Sequence, residues 1–440
     1  MSNEPVKQIA VIGTGYVGLT TGATLAHFGF RVSCCDVDPR KVDLLDQGVI
    51  PIVEHGLDQL VNDNRAAGRL TFHLGSDPAV RTADVVFLCV PTPQDDDGSA
   101  DLTYVRAAAA EIGPMLKPGA VVVNKSTVPV GSFHVVVGAL GRDDVDVASN
   151  PEFLREGSAV HDCLNPDRVV IGADNERAAA VVRSLYESLD TEFIVTDPAS
   201  AETIKYAANG FLAMKISFIN SVAAMCEQVG ADVAAVVAGI GSDHRIGNQF
   251  LNPGPGWGGS CFPKDSRALV SIAREHGYDF SLMRGVIDIN EQQYDRIANK
   301  IARGANRFEH DRLEGVVIGA LGLTFKAGTD DLRESPALRI LHDLRRRGAE
   351  IRAYDPTATG ELDPIQTDRL AGITLCDSMA DATADADVLT ILTEWPEFRE
   401  LDLDAAAVAM RGNAVVDARN LLEPAVVKSA GLTYDGVGRS

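Results

Sequence analysis

Cys261 stands in the run Gly258-Gly259-Ser260-Cys261-Phe262-Pro263-Lys264-Asp265. Two glycines let a ligand approach the backbone, and the proline suits the first turn of a helix. A thiol at a helix start lies near the partial positive charge of the N-terminus, which favours the thiolate. A thiolate is a covalent nucleophile. Burial as a packing residue is the ordinary fate of cysteine. The glycines before Cys261 and the acid four residues later favour catalysis instead. The other six cysteines lack such surroundings and read as packing residues.

Other patterns carry chemistry of their own. Gly13-Thr14-Gly15-Tyr16-Val17-Gly18 follows an apolar run and opens a helical stretch. With Asp36 at the end of the next apolar run, this predicts a dinucleotide site. The first two glycines permit the tight turn and close approach of the pyrophosphate, and the third lets helix and strand pack. Asp36 would accept from ribose hydroxyls and repel a 2′-phosphate, so NAD is expected rather than NADP. Thr92 and Thr127 fall just past two predicted strand ends, where open α/β sheets hold ligands. Either threonine could equally cap a loop. Glu152 and Glu156 lie four apart and would share a face if helical; solvation is the ordinary fate of such glutamates. Lys205 and Asn209 are also four apart, in an alanine-rich helical pattern. Both can hydrogen-bond a developing oxyanion, and a helix lysine is otherwise usually solvated. The rigid run from Phe250 to Gly259 offers backbone amides to an anionic ligand.

These residues need a scaffold. Residues 7–13, with a start near Val6, then Arg31–Cys35, Ala83–Val90 and Ala120–Asn124 read as buried strands alternating with helices. That pattern predicts a parallel doubly wound sheet. The C-terminal part repeats it at 315–319, 350–354, 386 onward and 414–417, with Asp355-Pro356 matching the acid-proline ending of the second strand. The glycine fingerprint is missing there, so the second domain is expected to hold something other than NAD. A long helix over about 199–229 joins the two and offers a dimer surface. The expected fold is α/β, with two Rossmann-like doubly wound domains joined by that central helix.

Composition bounds the partners. The 440 residues suffice for two or three domains, and the net charge of -22 argues against nucleic acid or an anionic membrane. A small anionic ligand remains compatible with a local basic pocket. Seven cysteines, odd in number and without a CxxC pair, read as reduced thiols in a cytoplasmic protein. Nine scattered histidines show no metal-ligand spacing, so no metal is expected. No signal peptide and no uncharged apolar run long enough to span a bilayer are seen.

Taken together, the chain resembles the UDP-glucose/GDP-mannose 6-dehydrogenase family over nearly its whole length. The strongest matches are GTGYVG, STVPVG, NPEFLREG, KYAANGFLAMKISFINS, GGSCFPKD and GLTFKAGTDDLRESPA. The resemblance implies oxidation of a sugar-nucleotide 6-hydroxyl to a carboxylate with two NAD and one water. It implies Cys261 as nucleophile, Lys205 and Asn209 as the oxyanion pair, and Asp265 assisting water or proton transfer. Glu152, with Phe153 and Leu154, would line the sugar, and Thr127 would be the active-site threonine. NAD contacts would come from Gly13, Gly15, Tyr16, Val17, Gly18, Asp36, Lys41, Thr92, Thr127, Glu156, Lys264 and Arg333.

The sugar nucleotide would be clamped by Phe250, Leu251, Asn252, Pro253 and Gly254 with Gly258, and held by Phe325, Lys326 and Arg419. Arg245 matches a family arginine that reaches the neighbouring subunit's substrate, which implies a homodimer. The implied division is an NAD-binding domain over 1–200, a helical dimerisation region carrying the cysteine over 201–300, and a UDP-binding domain over 301–440. His55, where many relatives have proline, is a mild departure. A two-electron β-hydroxyacid-type dehydrogenase would share the glycine motif and the Lys–Asn pair but would not need Cys261. A non-catalytic NAD-binding module would not need the polar set. Among nucleotide sugars the motifs favour glucose over GDP-mannose, dTDP-glucose or an N-acetylated UDP-sugar.

Overall fold

The computed structural model describes residues 7–95, 98–306, 312–358 and 364–439. The described chain forms two compact units. The first runs up to Ala208 and includes Ser271–Tyr278; the second comprises Asn209–Val270 and the chain from Asp279 onward.

The first unit contains an eight-stranded sheet in the order β3-β2-β1-β4-β5-β6-β7-β8. Its strands are β1 (Gln8–Ile12), β2 (Arg31–Asp36), β3 (Leu70–Leu74), β4 (Val85–Leu88), β5 (Val121–Asn124), β6 (Asp146–Ser149), β7 (Arg168–Ala173) and β8 (Glu192–Thr196). All pairings are parallel except β6 with β7, which is antiparallel. Val6, the expected start of the first strand, lies outside the described residues. The central strands β4 and β5 are buried at every position and apolar at all but the terminal Asn124, as a sheet covered on both faces requires. The helix Tyr16–His27 packs closely on this sheet: a Cβ on Gly22 would lie 2.4 Å from Cys34 Sγ.

The second unit has a six-stranded, wholly parallel sheet in the order β11-β10-β9-β12-β13-β14. These are β9 (Val317–Leu321), β10 (Glu350–Tyr354), β11 (Thr374–Leu375), β12 (Val388–Ile391), β13 (Ala414–Asp417) and β14 (Thr433–Gly436). The sequence placed the first of them two residues early, because Gly315 and Val316 are also apolar or small; Gly315 has a φ of 78° and turns the chain into the strand.

The two sheets share one topology. Strands one to six of the first unit and all six of the second follow the doubly wound order 3-2-1-4-5-6. The first unit adds β7 and β8 beyond it. A 32-residue helix, Pro198–Val229, runs between the two Rossmann-like domains. The second unit also contains the helices Val233–Gly241, Ser281–Gly304 and Pro336–Arg346. The helix Phe262–Glu275 follows the glycine- and proline-rich loop.

Candidate active site

In the first unit the turn after β1 is built by glycines with distinct duties. Gly13 has a φ of 97°, and a Cβ there would lie 2.6 Å from the Cys89 carbonyl oxygen. A Cβ on Gly18 would sit 1.9 Å from the Gly13 carbonyl oxygen, so this position is reserved for backbone contact between helix and strand. Above Gly15 nothing lies within 4 Å. That open face, at the start of the helix Tyr16–His27, suits a pyrophosphate. Asp36 accepts from the Thr14 amide at 2.8 Å and the Thr14 hydroxyl at 2.6 Å, and from Asp38 N at 3.0 Å. Burial raises its carboxyl, but these donors and Lys41 prevail and hold it below the usual range. It is therefore an anionic acceptor at the end of β2, partly exposed.

Thr92 follows β4 and is partly exposed; Thr127 follows β5 and is buried. Tyr16 does not simply flank the glycine turn. Its hydroxyl bonds Glu54 and accepts from Gly157 N at 3.0 Å, while Glu54 accepts from Gly157 N at 2.6 Å and Ala159 N at 2.8 Å. Glu54 was not picked out from the sequence, although it precedes His55 in the stretch that departs from relatives. Its burial makes it the tie between the glycine turn and the NPEFLREG segment.

That segment is irregular at Asn150–Arg155 and turns at Glu156-Gly157, so Glu152 and Glu156 do not share a helical face. Groups of the segment are bound elsewhere: Asn150 donates to the Val170 carbonyl at 2.7 Å and accepts from Tyr186 at 2.9 Å, and the Arg155 amide donates to Asp162 at 2.9 Å. Glu152 is not solvated either. It is 5% exposed and accepts from Lys205 Nζ at 2.9 Å and Leu154 N at 2.5 Å. Burial alone would raise its carboxyl. The Lys205 ammonium, the Leu154 amide and Lys125 outweigh it, and the group stays below the usual range. Phe153 stacks under Arg168 at 3.9 Å and faces Lys205 at 5.4 Å from its ring centre. Lys205 is 3% exposed. With Asn124, Ser126, Thr127, Ser149 and Glu202 it lines a small recess.

In the second unit Cys261 is partly exposed and immediately precedes the helix Phe262–Glu275, whose first bond runs from Asp265 N to its carbonyl at 2.8 Å. Asp265 is fully buried, with one carboxylate oxygen accepting from Asn209 Nδ2 at 2.6 Å and the other from Lys264 Nζ at 2.6 Å. So the unit joins Asn209, Lys264 and Asp265 one helical turn after Cys261.

The loop before the thiol is held by side chains the sequence had not signalled. Asn220 Oδ1 accepts from Gly254 N at 2.8 Å, and Gln293 Nε2 donates to Gly254 O at 2.7 Å. Asn290 binds both the amide and the carbonyl of Trp257, at 2.8 and 2.9 Å. Phe250 enters the loop with a φ of 61°, a left-handed conformation unusual for an aromatic residue. Leu251 is buried, Asn252 exposed and Pro253 intermediate.

The expected sugar-nucleotide contacts converge here. A Cβ on Gly254 would meet Arg419 at 3.5 Å, one on Gly258 would meet Glu334 O at 2.0 Å, and one on Gly259 would meet the Phe325 ring at 2.7 Å. Arg419 donates to the Phe325 carbonyl at 2.9 Å and pairs with Glu394 at 3.0 Å. Lys326 lies 5.7 Å from the centre of the Phe325 ring. Arg245 and Arg333 are exposed, each clasping an aspartate two residues earlier, Asp243 and Asp331.

The fold and these clusters define a class: Rossmann-type dinucleotide-binding enzymes with a helix-start thiol in a second unit. Models of the UDP-glucose/GDP-mannose dehydrogenase family match the chain in three consecutive parts. These are the NAD binding domain over 7–190, the central domain over 199–292 and the UDP binding domain over 319–424. The chain belongs to that family. It is 46% identical over 439 residues to UDP-glucose 6-dehydrogenase TuaD of Bacillus subtilis, covering 99% of this chain and 94% of that one. A solved UDP-glucose dehydrogenase from the archaeon Pyrobaculum islandicum superposes with a TM-score of 0.88 at 35% identity, covering 100% and 99%. A UDP-D-ManNAc dehydrogenase from Pyrococcus horikoshii reaches 0.86 at 29% identity, covering 98% and 99%.

Proposed function

We propose that this protein oxidises UDP-glucose to UDP-glucuronate with NAD, in a four-electron reaction through a thioester on Cys261. The observation that carries the reading is Cys261 at the start of a helix whose first turn holds the Asp265–Asn209 pair, just after a braced glycine loop, in a chain of this family. Full-length identity to UDP-glucose 6-dehydrogenases supports glucose over the N-acetylated sugar of the archaeal relative. Functionally the chain divides into an NAD domain over 1–200, a central region over 201–300 and a UDP domain over 301–440.

NAD fits the open face of Gly15, with Gly13, Gly18, Tyr16, Val17 and the Asp36 carboxylate around it; Lys41, Thr92, Thr127, Glu156, Lys264 and Arg333 are further proposed contacts. When bound, the dinucleotide accepts a hydride from C6 in each of two rounds. In the first round the hydroxyl proton passes to a water held by Asp265, or to Lys205 once its ammonium has released a proton to solvent. Cys261 Sγ then adds to the aldehyde carbon and the oxygen takes a proton, giving a thiohemiacetal that stays bound. Loss of the second hydride and of that proton leaves a thioester. Lys205 and Asn209 donate to the tetrahedral oxyanions; one such donor is worth about 10²–10³ in rate. Water, positioned by Asp265 or Glu152, adds to the thioester carbonyl, the C–S bond breaks, and the sulfur leaves as the thiolate. Phe153, Leu154, the loop Phe250–Gly254, Gly258, Phe325, Lys326 and Arg419 hold the sugar nucleotide.

We also propose a cytoplasmic homodimer through the long helix. Phe211, Phe218, Met225 and Val229 are exposed at spacings of seven, seven and four, one apolar stripe along it. Arg245 would serve the partner's substrate. Among the described residues no helix is long and apolar enough to cross a membrane.

The test is stoichiometry. Purified protein with limiting UDP-glucose and excess NAD is expected to yield two NADH per sugar by absorbance at 340 nm, and the rate with UDP-glucose should exceed that with dTDP-glucose, GDP-mannose and UDP-N-acetylhexosamines. One NADH per sugar would replace this reading with a two-electron dehydrogenase.

A further inference from the structure

Glu202 has no part in the scheme above. It lies one turn before Lys205 on the helix Pro198–Val229 and is 4% exposed. A buried carboxylate is costly unless its oxygens are bonded. One oxygen accepts from Gly131 N at 2.7 Å; the other accepts from Phe133 N at 2.9 Å and from Ser149 Oγ at 3.1 Å. Burial raises its carboxyl above the usual range, and these donors oppose the rise. Two of the three are backbone amides of a single turn.

That turn opens the helix Ser132–Leu140. The first amides of a helix have no partner within it, and a side chain at the cap commonly takes them. Here the cap residue is Gly131, at a φ of 94°, with no side chain to offer. Ser132 N donates to Pro129 O and His134 N to Gly131 O, each at 3.1 Å. Gly131 N and Phe133 N remain, and Glu202 accepts from both across the fold. Its oxygens also face the positive end of the helix dipole.

The clamp fixes more than a helix end, because Thr127 stands between two anchors. Upstream, Ser126 Oγ donates to Val90 O at 2.7 Å, just past β4. Downstream, Gly131 is held by Glu202. The helix bearing Glu202 is itself set close on β7: a Cβ on Gly172 would lie 2.6 Å from Ala201 Cβ. Thr127, Glu202 and Lys205 line the same recess. One side chain thus ties the threonine turn to the turn of helix that carries Lys205. We infer that Glu202 is a positioning residue for the oxidation: by binding Gly131 and Phe133 it holds Thr127 beside Lys205. This rests on the roles given above to Thr127 and Lys205.

The experiment is a double-mutant cycle on kcat, at saturating UDP-glucose and NAD, with Glu202→Gln, Thr127→Ala and the two combined. Glutamine offers one acceptor oxygen, so its amide nitrogen must face the N–H of Gly131 or of Phe133. Glu202→Gln is expected to lower kcat by about 10- to 100-fold, the range a displacement of about 1 Å can cost. In the Thr127→Ala background the same change is expected to cost less than about twofold, because the group it positions is gone. A merely structural glutamate would cost the same factor in both backgrounds. That result, or wild-type kcat in Glu202→Gln, overturns the inference. If Glu202→Gln does not melt cooperatively, Glu202→Asp, one methylene short of the same amides, is read in the same cycle. Wild-type protein that forms no NADH with UDP-glucose sinks the functional reading instead; active wild type with equal factors in the two backgrounds sinks only this one.

Discussion

The two sheets are the same device put to different ends. In each, a glycine with positive φ ends the first strand, Gly13 after β1 and Gly322 after β9. In each, a residue just past the fourth strand closes on that glycine: Cys89 on Gly13, Thr393 on Gly322. In each, an aspartate ends or follows the second strand. There the likeness stops. After Gly13 a helix begins at Tyr16, leaving amides and an open face above Gly15. After Gly322 no helix begins until Pro336. Asp36 is partly exposed, whereas Asp355 is buried and saturated, accepting from Leu323 N at 2.7 Å, Trp395 Nε1 at 3.2 Å and Thr357 Oγ1 at 2.7 Å. The first aspartate can still accept from a ribose; the second has become a brace for its own loop. Duplicating a sheet order does not duplicate a binding site, because the site lives in the helix start and the free acceptor.

Breaking the chemistry of the second unit should leave the first intact. Cys261→Ala is expected to lose about 10³-fold or more of kcat, with NAD affinity by fluorescence unchanged. Full turnover by that variant would remove the thioester route.

The two aspartates give a matched pair. Asp36→Ala should weaken NAD binding by about 10- to 100-fold, the worth of a charged hydrogen-bond acceptor, with a small change in melting temperature. Asp355→Ala should do the reverse: NAD affinity holds, but orphaned buried donors destabilise the protein by about 3 kcal/mol, read in urea titration. Loss of NAD affinity in the second variant would mean the units are less distinct than their turns imply.

Thiol reactivity separates the units by a smaller, graded effect. Burial holds Cys35 and Cys89 near 12 and Cys163 near 11 in the first unit. Iodoacetamide at pH 7.5 is expected to modify Cys261 first, by peptide mass mapping, and UDP-glucose to slow it. Prior labelling of Cys89 would count against that order.

The smallest effect is in acid stability, and its sign differs between units. Glu152 has a lowered carboxyl, so its stabilising contribution is present above its ordinary value of 4.5 and is lost as pH falls through the lowered folded value. Asp417 is raised by burial above its ordinary 3.8, so its contribution is present below that value and lost as pH rises through the raised one. Glu152→Gln should therefore flatten the loss of stability on acidification, and Asp417→Asn should steepen it, by urea unfolding at successive pH values.

Much of this was legible in the chain. Four strands of each sheet announce themselves as short apolar runs, and β4, β5, β12 and β13 among them are buried at every position; β3 and β8, which carry exposed positions, gave no such signal. The run GTGYVG carries its turn chemistry in its own residues. The helix start at Cys261 was readable from Gly-Gly before it and Pro263 after it. What periodicity could not give were residues whose partners are remote in sequence. Glu152 and Lys205 are each ordinary surface types by local pattern, and only a fold that brings them to 2.9 Å makes them a buried pair. Glu152 and Glu156 read as a helical pair, but the segment is irregular and its groups are bound to Asp162 and to Glu152 itself. Asn220, Asn290 and Gln293 carry no motif at all, yet they brace the loop before the thiol. The sequence alone determined the two doubly wound sheets, the dinucleotide turn and the thiol at a helix start, because those depend on neighbours a few residues apart. The tertiary structure decided which acids stay free, which are spent, and which turn Glu202 holds. Those outcomes depend on burial and on long-range partners, which no local spacing records.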